Sequence, residues 1–343
     1  MRTAPVIAIA TGDPAGIGPE ISLKAALDDA VREACRPLLV SDPGLLERHD
    51  KACGINADLN VVERVGNAAW SGRRVNVLAC PQPDAATLTF GATSPAAGRA
   101  SLAFAGAAIK IALAGDADGV VAAPQNETSI ALAGIAFDGY PSFVAGMTGT
   151  DIDNVFLMLC FGHTRIAHVT LHRSVKQAIA EITGPAVGRA IQATDRALKR
   201  LGIRAPKIAV GGLNPHAGEG GLFGHEEIDI IKPAIDAAAA EGLNVSGPFG
   251  ADTMLQMKGY DAFLVMLHDQ GHIPAKLLAP NATAALTIGT PILFSSVAHG
   301  SAHDIAGKGI ANPAAMIEAI LRLSKVRAAL RRPSTATPRR SGA

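Results

Sequence analysis

Ser295-Ser296-Val297-Ala298-His299-Gly300-Ser301-Ala302-His303-Asp304-Ile305-Ala306-Gly307-Lys308-Gly309-Ile310-Ala311-Asn312-Pro313 runs out of an apolar stretch, through a glycine-rich turn, into a helical pattern. Its short side chains and glycines let backbone approach a flat ligand closely, while His299, Asp304 and Asn312 offer polar edges. A lone Gly-x-Gly is usually no more than a loop before a helix, so the length of this segment is what gives it weight. Outward from it, short apolar runs alternate with helical patterns. Val6-Ile7-Ala8-Ile9-Ala10 and residues 119–123 are continuous apolar runs, the mark of strands buried on both faces. Further strands are predicted at 38–40, 75–78, 155–159, 166–170, 208–211, 262–266, 285–288 and 292–295. Helices are predicted from Glu20, along a stripe of Leu102, Ile109 and Leu113, and at 184–201, 228–241 and 313–330. The alternation predicts an α/β protein with a largely parallel sheet.

At 343 residues the chain is too long for one small core, so two domains are expected. The net charge is +1, which argues against nucleic acid or an anionic membrane as partner. An anionic small-molecule substrate would therefore need a local basic site. The four cysteines, Cys35, Cys53, Cys80 and Cys160, form no Cys-x-x-Cys pair, which points to free thiols in a reducing compartment. The first residues lack a signal-peptide pattern, and no apolar run reaches about 18 residues free of charge and glycine. A cytoplasmic protein is expected. Residues 331–343 are basic and poor in apolar side chains, which predicts a disordered tail.

Gly12-Asp13-Pro14-Ala15-Gly16-Ile17-Gly18-Pro19-Glu20 reads as a turn between strand and helix, either phosphate-cradling or simply tight. It is not Gly-x-Gly-x-x-Gly, and no acidic residue ends a second strand at the usual place, so a standard Rossmann site is rejected. His172, His216 and His268 each follow a strand-like run in polar, turn-rich surroundings. Three imidazoles suit a borderline divalent ion and leave coordination positions open. Their spacing forms no local metal motif, so on spacing alone each reads more readily as a helix cap or turn residue than as a ligand.

These segments carry a resemblance. The 295–313 loop resembles the adenosine-binding loop of isopropylmalate dehydrogenases. The Gly12–Glu20 turn, Thr170-Leu171-His172, Asn214-Pro215-His216-Ala217-Gly218-Glu219-Gly220-Gly221 and His268-Asp269-Gln270-Gly271 resemble the 4-hydroxythreonine-4-phosphate dehydrogenase family over roughly residues 6–325. The resemblance implies a two-domain isopropylmalate dehydrogenase-like α/β fold with a deep interdomain cleft. One domain would comprise 1–125 plus 298–330 and the other 126–297. It further implies NAD along His299, Gly300, Ser301, Asp304 and Asn312, and one divalent metal ion on His172, His216 and His268. Zinc fits best, with manganese, cobalt or iron compatible, and NAD is preferred because no arginine is placed for a 2′-phosphate. A homodimer with its active site at the subunit interface is also implied. Lys276 and Asp252 match substrate-contacting positions, and Asp269 would orient the metal site.

The departures narrow the substrate. Where phosphate-handling members carry an asparagine and an arginine, this chain has Ala285 and Phe294, which cannot donate to phosphate. Residues 127–128, 133–137, 139–142, 155–159, 168–172 and 266–281 instead resemble the aromatic-degradation branch, the terephthalate dihydrodiol dehydrogenases. That branch implies NAD- and metal-dependent oxidation and decarboxylation of a carboxylated cis-dihydrodiol, with Lys276 facing a carboxylate and Phe294 an apolar wall. Asn126 stands where the family has a substrate-contacting histidine, and it cannot titrate near neutrality. The alternatives are a dehydrogenase of hydroxythreonine 4-phosphate or a four-carbon sugar-acid 4-phosphate, and a metal- or nucleotide-binding regulator without turnover.

Overall fold

Val6–Ala10 (β1) lies at the heart of the sheet with all five residues buried, as its unbroken apolar run requires. The computed structural model describes residues 4–279, 283–297 and 299–324. The expected disordered tail, the end of the helix predicted at 313–330, and Pro280, Asn281 and Ala298 lie outside the described residues. After β1 come Arg36–Ser41 (β2), Leu59–Val62 (β3), Val75–Ala79 (β4), Gly119–Ala122 (β5), Phe156–Phe161 (β6) and Thr164–His168 (β7). Lys207–Gly211 (β8), Asn244–Phe249 (β9), Ala262–Val265 (β10), Ala284–Ile288 (β11) and Phe294–Val297 (β12) complete the strands. The helices are Gly18–Leu27 (α1), Asp29–Ala34 (α2), Pro43–Cys53 (α3), Pro95–Leu113 (α4), Glu127–Leu132 (α5) and Tyr140–Thr148 (α6). Val175–Glu181 (α7), Gly184–Arg200 (α8), Lys232–Ala240 (α9), Ala251–Met254 (α10), His268–Leu278 (α11) and Ala314–Ser324 (α12) follow.

Among the described residues, all twelve strands form one sheet in the order β3-β4-β2-β1-β5-β12-β11-β6-β7-β10-β8-β9. The α/β class and the largely parallel sheet are as expected, with antiparallel pairing confined to β12–β11–β6–β7. Those three pairings reverse the ladder. The carboxyl ends of β1, β5 and β12 therefore open on one side, and those of β7, β8 and β10 on the other.

On one face, Ile21, Val31, Val187, Ile191, Ile235 and Ile320 of the helices close over Ile7, Ile9, Val121, Met158 and Leu264. On the other, Phe104, Ala108, Tyr140 and Val144 of α4 and α6 cover Ala8, Ala10, Val120 and Phe294. Met254 and Ala275 of α10 and α11 cover Ile166, Phe263 and Val265. Each large aliphatic or phenyl side chain so buried contributes roughly 1.5–3 kcal/mol. Helix α4 starts where Ser94 Oγ accepts from the Ala97 amide (3.1 Å) with Pro95 in the first turn. It is long and apolar enough to cross a membrane by length and composition, yet Ala97, Ala100, Phe104, Ala105, Ala108 and Ile109 are buried in the core.

Some expectations shift, among them the strands predicted at 155–159 and 166–170, which run over Phe156–Phe161 and Thr164–His168. Helix α1 begins at Gly18 rather than Glu20, because Pro19 suits a first turn. Leu113 is exposed at the last position of α4. The helix predicted at 228–241 opens with a π-type turn over Glu227–Ile231. The strand predicted at 292–295 runs instead over Phe294–Val297.

Candidate active site in two clusters

Beyond β1 the chain turns through Gly12 at φ +70°, where a Cβ would lie 2.2 Å from the Pro124 carbonyl oxygen. Only glycine lets the turns after β1 and β5 come this close. Against this turn packs the nucleotide-loop segment. The Ile17 amide donates to the Ser301 carbonyl (2.9 Å), and His303 Nε2 donates to Asp13 Oδ2 (2.7 Å). Asp13 is fully buried, and its Oδ1 accepts from the Ala15 amide (2.9 Å), so one carboxylate ties the turn to the loop. Farther along, the buried carboxylate of Glu20 accepts from the Ala311 amide (2.8 Å) and from Lys24 Nζ (2.7 Å). The same ammonium donates to the Gly309 (3.0 Å) and Ala311 (2.9 Å) carbonyls.

Of the expected nucleotide contacts, His299, Gly300, Asp304 and Asn312 are exposed on this loop, while Ser301 is buried. Asn312 Oδ1 accepts from the Ala314 amide (2.9 Å) and so also starts α12. Asn126 sits beside the loop. Its Oδ1 caps α5 by accepting from the Ser129 amide (2.8 Å), and its Nδ2 reaches Ser301 Oγ (3.5 Å).

The second cluster follows β7, β8 and β10. Parallel pairing continues past β7 and β10, with the Val169 amide on the Val265 carbonyl (2.9 Å) and Thr170 Oγ1 on the Met266 carbonyl (2.7 Å). This brings His172 beside His268, ring centroids 5.5 Å apart. The His268 ring stacks on His272 (3.7 Å, 9°), and its Nδ1 donates to Asp269 Oδ1 (2.6 Å). That hydrogen bond holds the Asp269 carboxyl below its ordinary range and leaves His268 Nε2 as the free nitrogen. Burial, then the neighbouring His268, pushes His272 down to about 4. His168 is fully buried on β7, its Nδ1 donating to the Leu157 carbonyl (3.3 Å) and its Nε2 unpartnered. Desolvation drives it down to about 3.

His216 lies on the turn after β8, a step away from this pair. Its Cα is 3.6 Å from where a Cβ on Gly250 would stand, beside the start of α10 that carries Asp252. One chain thus brings His172, His268 and Asp269 together, and His216 near Asp252, but among the described residues no three His, Cys, Asp or Glu gather as a metal site. The donor chemistry of the pair suits a metal all the same. Zn–N bonds of about 2.0–2.1 Å at a tetrahedral angle put two ring centroids about 5 Å apart, close to the separation of His172 and His268. Lys276 is exposed two turns along α11 from His268, on the face shared with His272. Phe294, expected as a wall of the site, is fully buried against Tyr140 (4.9 Å) in the core.

Sequence reasoning passed over several anchors. Gln270 Oε1 accepts from the Met266 and Leu267 amides (both 2.9 Å), while its Nε2 donates to the Gly212 carbonyl (3.1 Å), joining the His268 and His216 segments. Gln270 was in view within His-Asp-Gln-Gly. Glu20 was in view as the last residue of the Gly12–Glu20 turn, while Lys24 and Glu227 gave no signal beyond their charge.

The chain matches the family model for pyridoxal phosphate biosynthetic protein PdxA over residues 33–322. It is similar to the 1,2-dihydroxy-3,5-cyclohexadiene-1,4-dicarboxylate dehydrogenase of a Comamonas species, 42% identical over 92% of this chain and 95% of the relative. It is similar also to the D-threonate 4-phosphate dehydrogenase of Cupriavidus necator, 38% identical over 92% of this chain and 95% of the relative. The crystal structure of a 4-hydroxythreonine-4-phosphate dehydrogenase from Burkholderia phymatum superposes with a TM-score of 0.85 at 35% identity, covering 94% of this chain and 98% of that one. On these matches the chain belongs to the PdxA family and is an oxidoreductase.

Proposed function

We propose that the protein oxidises and decarboxylates a carboxylated cis-dihydrodiol with NAD, taking terephthalate dihydrodiol to 3,4-dihydroxybenzoate. The observation that carries this reading is the apolar pair at positions 285 and 294. Phe294 is sealed in the core, and Ala285 has only a methyl to offer. A phosphate dianion held by Lys276, with no asparagine or arginine at these two positions, would lack charge-assisted hydrogen bonds worth about 1.5–3 kcal/mol each. The Comamonas relative named for a cyclohexadiene dicarboxylate supports the same choice.

His172, His216 and His268 would hold one divalent ion, zinc by preference. When bound, such an ion acidifies a coordinated hydroxyl and polarises the ketone formed from it. The loop carrying His299, Gly300, Ser301, Asp304 and Asn312 would hold NAD, the hydride acceptor. Lys276 pairs with a substrate carboxylate, and Asp252 or Lys276 takes the proton from the secondary hydroxyl at C2. Asp269 keeps His268 in the tautomer that presents Nε2, and Asn126 fixes the substrate-side turn to the nucleotide loop without exchanging a proton. C2 gives up a hydride, the resulting ketone lies β to the C1 carboxylate, and the C1–carboxylate bond breaks with its electrons passing to the ketone oxygen. The dianionic diol and NAD+ become the dihydroxybenzoate monoanion, CO2 and NADH, which balances in atoms and charge.

A homodimer belongs to this reading, because the two clusters follow strand ends on opposite sides of the ladder and His216 stands apart from His172 and His268 within one chain. A two-domain arrangement with a cleft, and a cytoplasmic location, belong to it as well. A second reading, oxidation of a four-carbon sugar-acid or hydroxythreonine 4-phosphate, is favoured by the names of the Cupriavidus and Burkholderia relatives. NADH formation from the dihydrodiol against each phosphorylated acid separates the two.

A further inference from the structure

The turn that carries His216 has an uncommon backbone. His216, Ala217, Gly218, Glu219 and Gly220 all lie in the left-handed region, with φ of 53°, 53°, 81°, 45° and 67°. Three of these five are not glycine, and left-handed backbone is unfavourable for residues with a Cβ, so something outside the turn has to hold it.

Among the described residues, the buried acid packed beneath it is Glu227, 2% exposed at the start of the π-type turn over Glu227–Ile231. Its Oε1 accepts from the Leu213 and Asn214 amides, both at 2.7 Å, and its Oε2 accepts from Asn214 Nδ2 at 2.9 Å. Among the described residues no lysine, arginine or histidine forms an ion pair with it. A carboxylate buried on N–H dipoles alone is costly, and it persists where those hydrogen bonds are needed. The fit against the turn is close: a Cβ on Gly218 would lie 2.7 Å from Glu227 Oε2, and one on Gly212 would lie 3.0 Å from Oε1.

We infer that Glu227 is a positioning residue, whose carboxylate grips the amides of Leu213 and Asn214, fixes the left-handed path of 216–220, and so sets where the His216 imidazole is presented to a divalent cation. The inference rests on the reading of His216 as a metal ligand. It assigns Glu227 no contact with metal or substrate.

The test is zinc affinity of the full-length protein, measured by competition with a chromogenic chelator, for wild type, H216A, E227A and E227Q, with folding checked by circular dichroism. Removal of a group that orients a metal ligand weakens binding about 10- to 100-fold. Glu227→Ala is expected to lose that much, while Glu227→Gln, whose amide oxygen still accepts from both backbone N–H groups and which gives up only the bond from Asn214 Nδ2, keeps several-fold more of the affinity than E227A. Should E227A not fold, Gly218→Ala, which forces a methyl against Oε2, is expected to show the same loss. Wild-type affinity in E227A or, in its place, in G218A overturns the inference, and so does an equal loss in E227Q and E227A. The underlying metal reading fails separately, by H216A binding zinc as wild type does.

Discussion

Replacing Lys24 by methionine removes one ammonium and three hydrogen bonds, to Glu20 Oε1 (2.7 Å), the Gly309 carbonyl (3.0 Å) and the Ala311 carbonyl (2.9 Å). Glu20 is fully buried and would keep only the Ala311 amide (2.8 Å) and the Cys53 thiol (3.4 Å). Breaking a buried ion pair by deleting one partner costs roughly 3–5 kcal/mol, mostly because the remaining charge is stranded. The Lys24 side chain is 25% exposed, so water reaches the gap and the lower end of that range applies. A loss of about 3 kcal/mol corresponds to a fall in Tm of about 4 °C for a chain of this size. The double variant E20Q/K24M should recover most of that, since a neutral glutamine still accepts from the Ala311 amide and leaves no charge behind. Because Gly309 and Ala311 belong to the expected nucleotide loop, NAD binding should weaken about tenfold in K24M, equivalent to about 1.4 kcal/mol. Thermal melts followed by circular dichroism and titration calorimetry with NAD read the two effects. A K24M protein melting within about 1 °C of wild type, or a double variant no more stable than the single one, would refute the reasoning.

Other expectations are as direct. Gly98→Ala places a Cβ 2.2 Å from the Ser129 carbonyl oxygen and 2.6 Å from the Ile130 amide, all rigid backbone where α4 meets α5. A loss of at least about 1–3 kcal/mol in urea unfolding is expected, and an unchanged midpoint would contradict the packing. His168 stays neutral in the folded protein down to about pH 3, whereas the unfolded imidazole gains a proton below its ordinary 6.5. Its contribution is therefore intact above pH 6.5 and declines as pH falls toward 3, with about 2 kcal/mol lost by pH 5. The difference between the stability profiles of wild type and H168L measures it, and parallel profiles between pH 8 and 5 would count against the assignment. Asp269→Asn weakens the charge-assisted hydrogen bond to His268 Nδ1 and should raise the zinc dissociation constant about tenfold. Equal zinc retention by both proteins on dialysis against a chelator would speak against that role.

Much of the fold was legible because its central strands are unbroken apolar runs. Val6–Ala10 and Gly119–Ala122 could be read directly, as could α8, whose Val187, Ile191 and Leu198 stripe faces the core. The edge strands were not. In β3, Val61 is exposed and the apolar pattern is thin, and β9 contains Gly247 and Pro248, which read as a break but are tolerated on an edge. Phe294 was read as an outward wall because nothing local announces that Tyr140, 154 positions earlier in the chain, closes over it. At the candidate site the histidines stood out by chemistry, but what holds them did not. Lys24 and Ala311 are 287 residues apart, and Gln270 and Gly212 are 58 apart. A side chain whose partner is a distant backbone carbonyl leaves no pattern in the sequence.

The most direct measurement is NADH formation at 340 nm by the metal-reconstituted protein, with CO2 release followed in parallel, on terephthalate dihydrodiol and on 4-phosphorylated hydroxy acids. The account expects NADH and CO2 in equal amounts from the dihydrodiol, lost when zinc is chelated, and little turnover of the phosphorylated acids. Turnover of the phosphorylated acids alone, or NADH from the dihydrodiol that persists without metal, would contradict it.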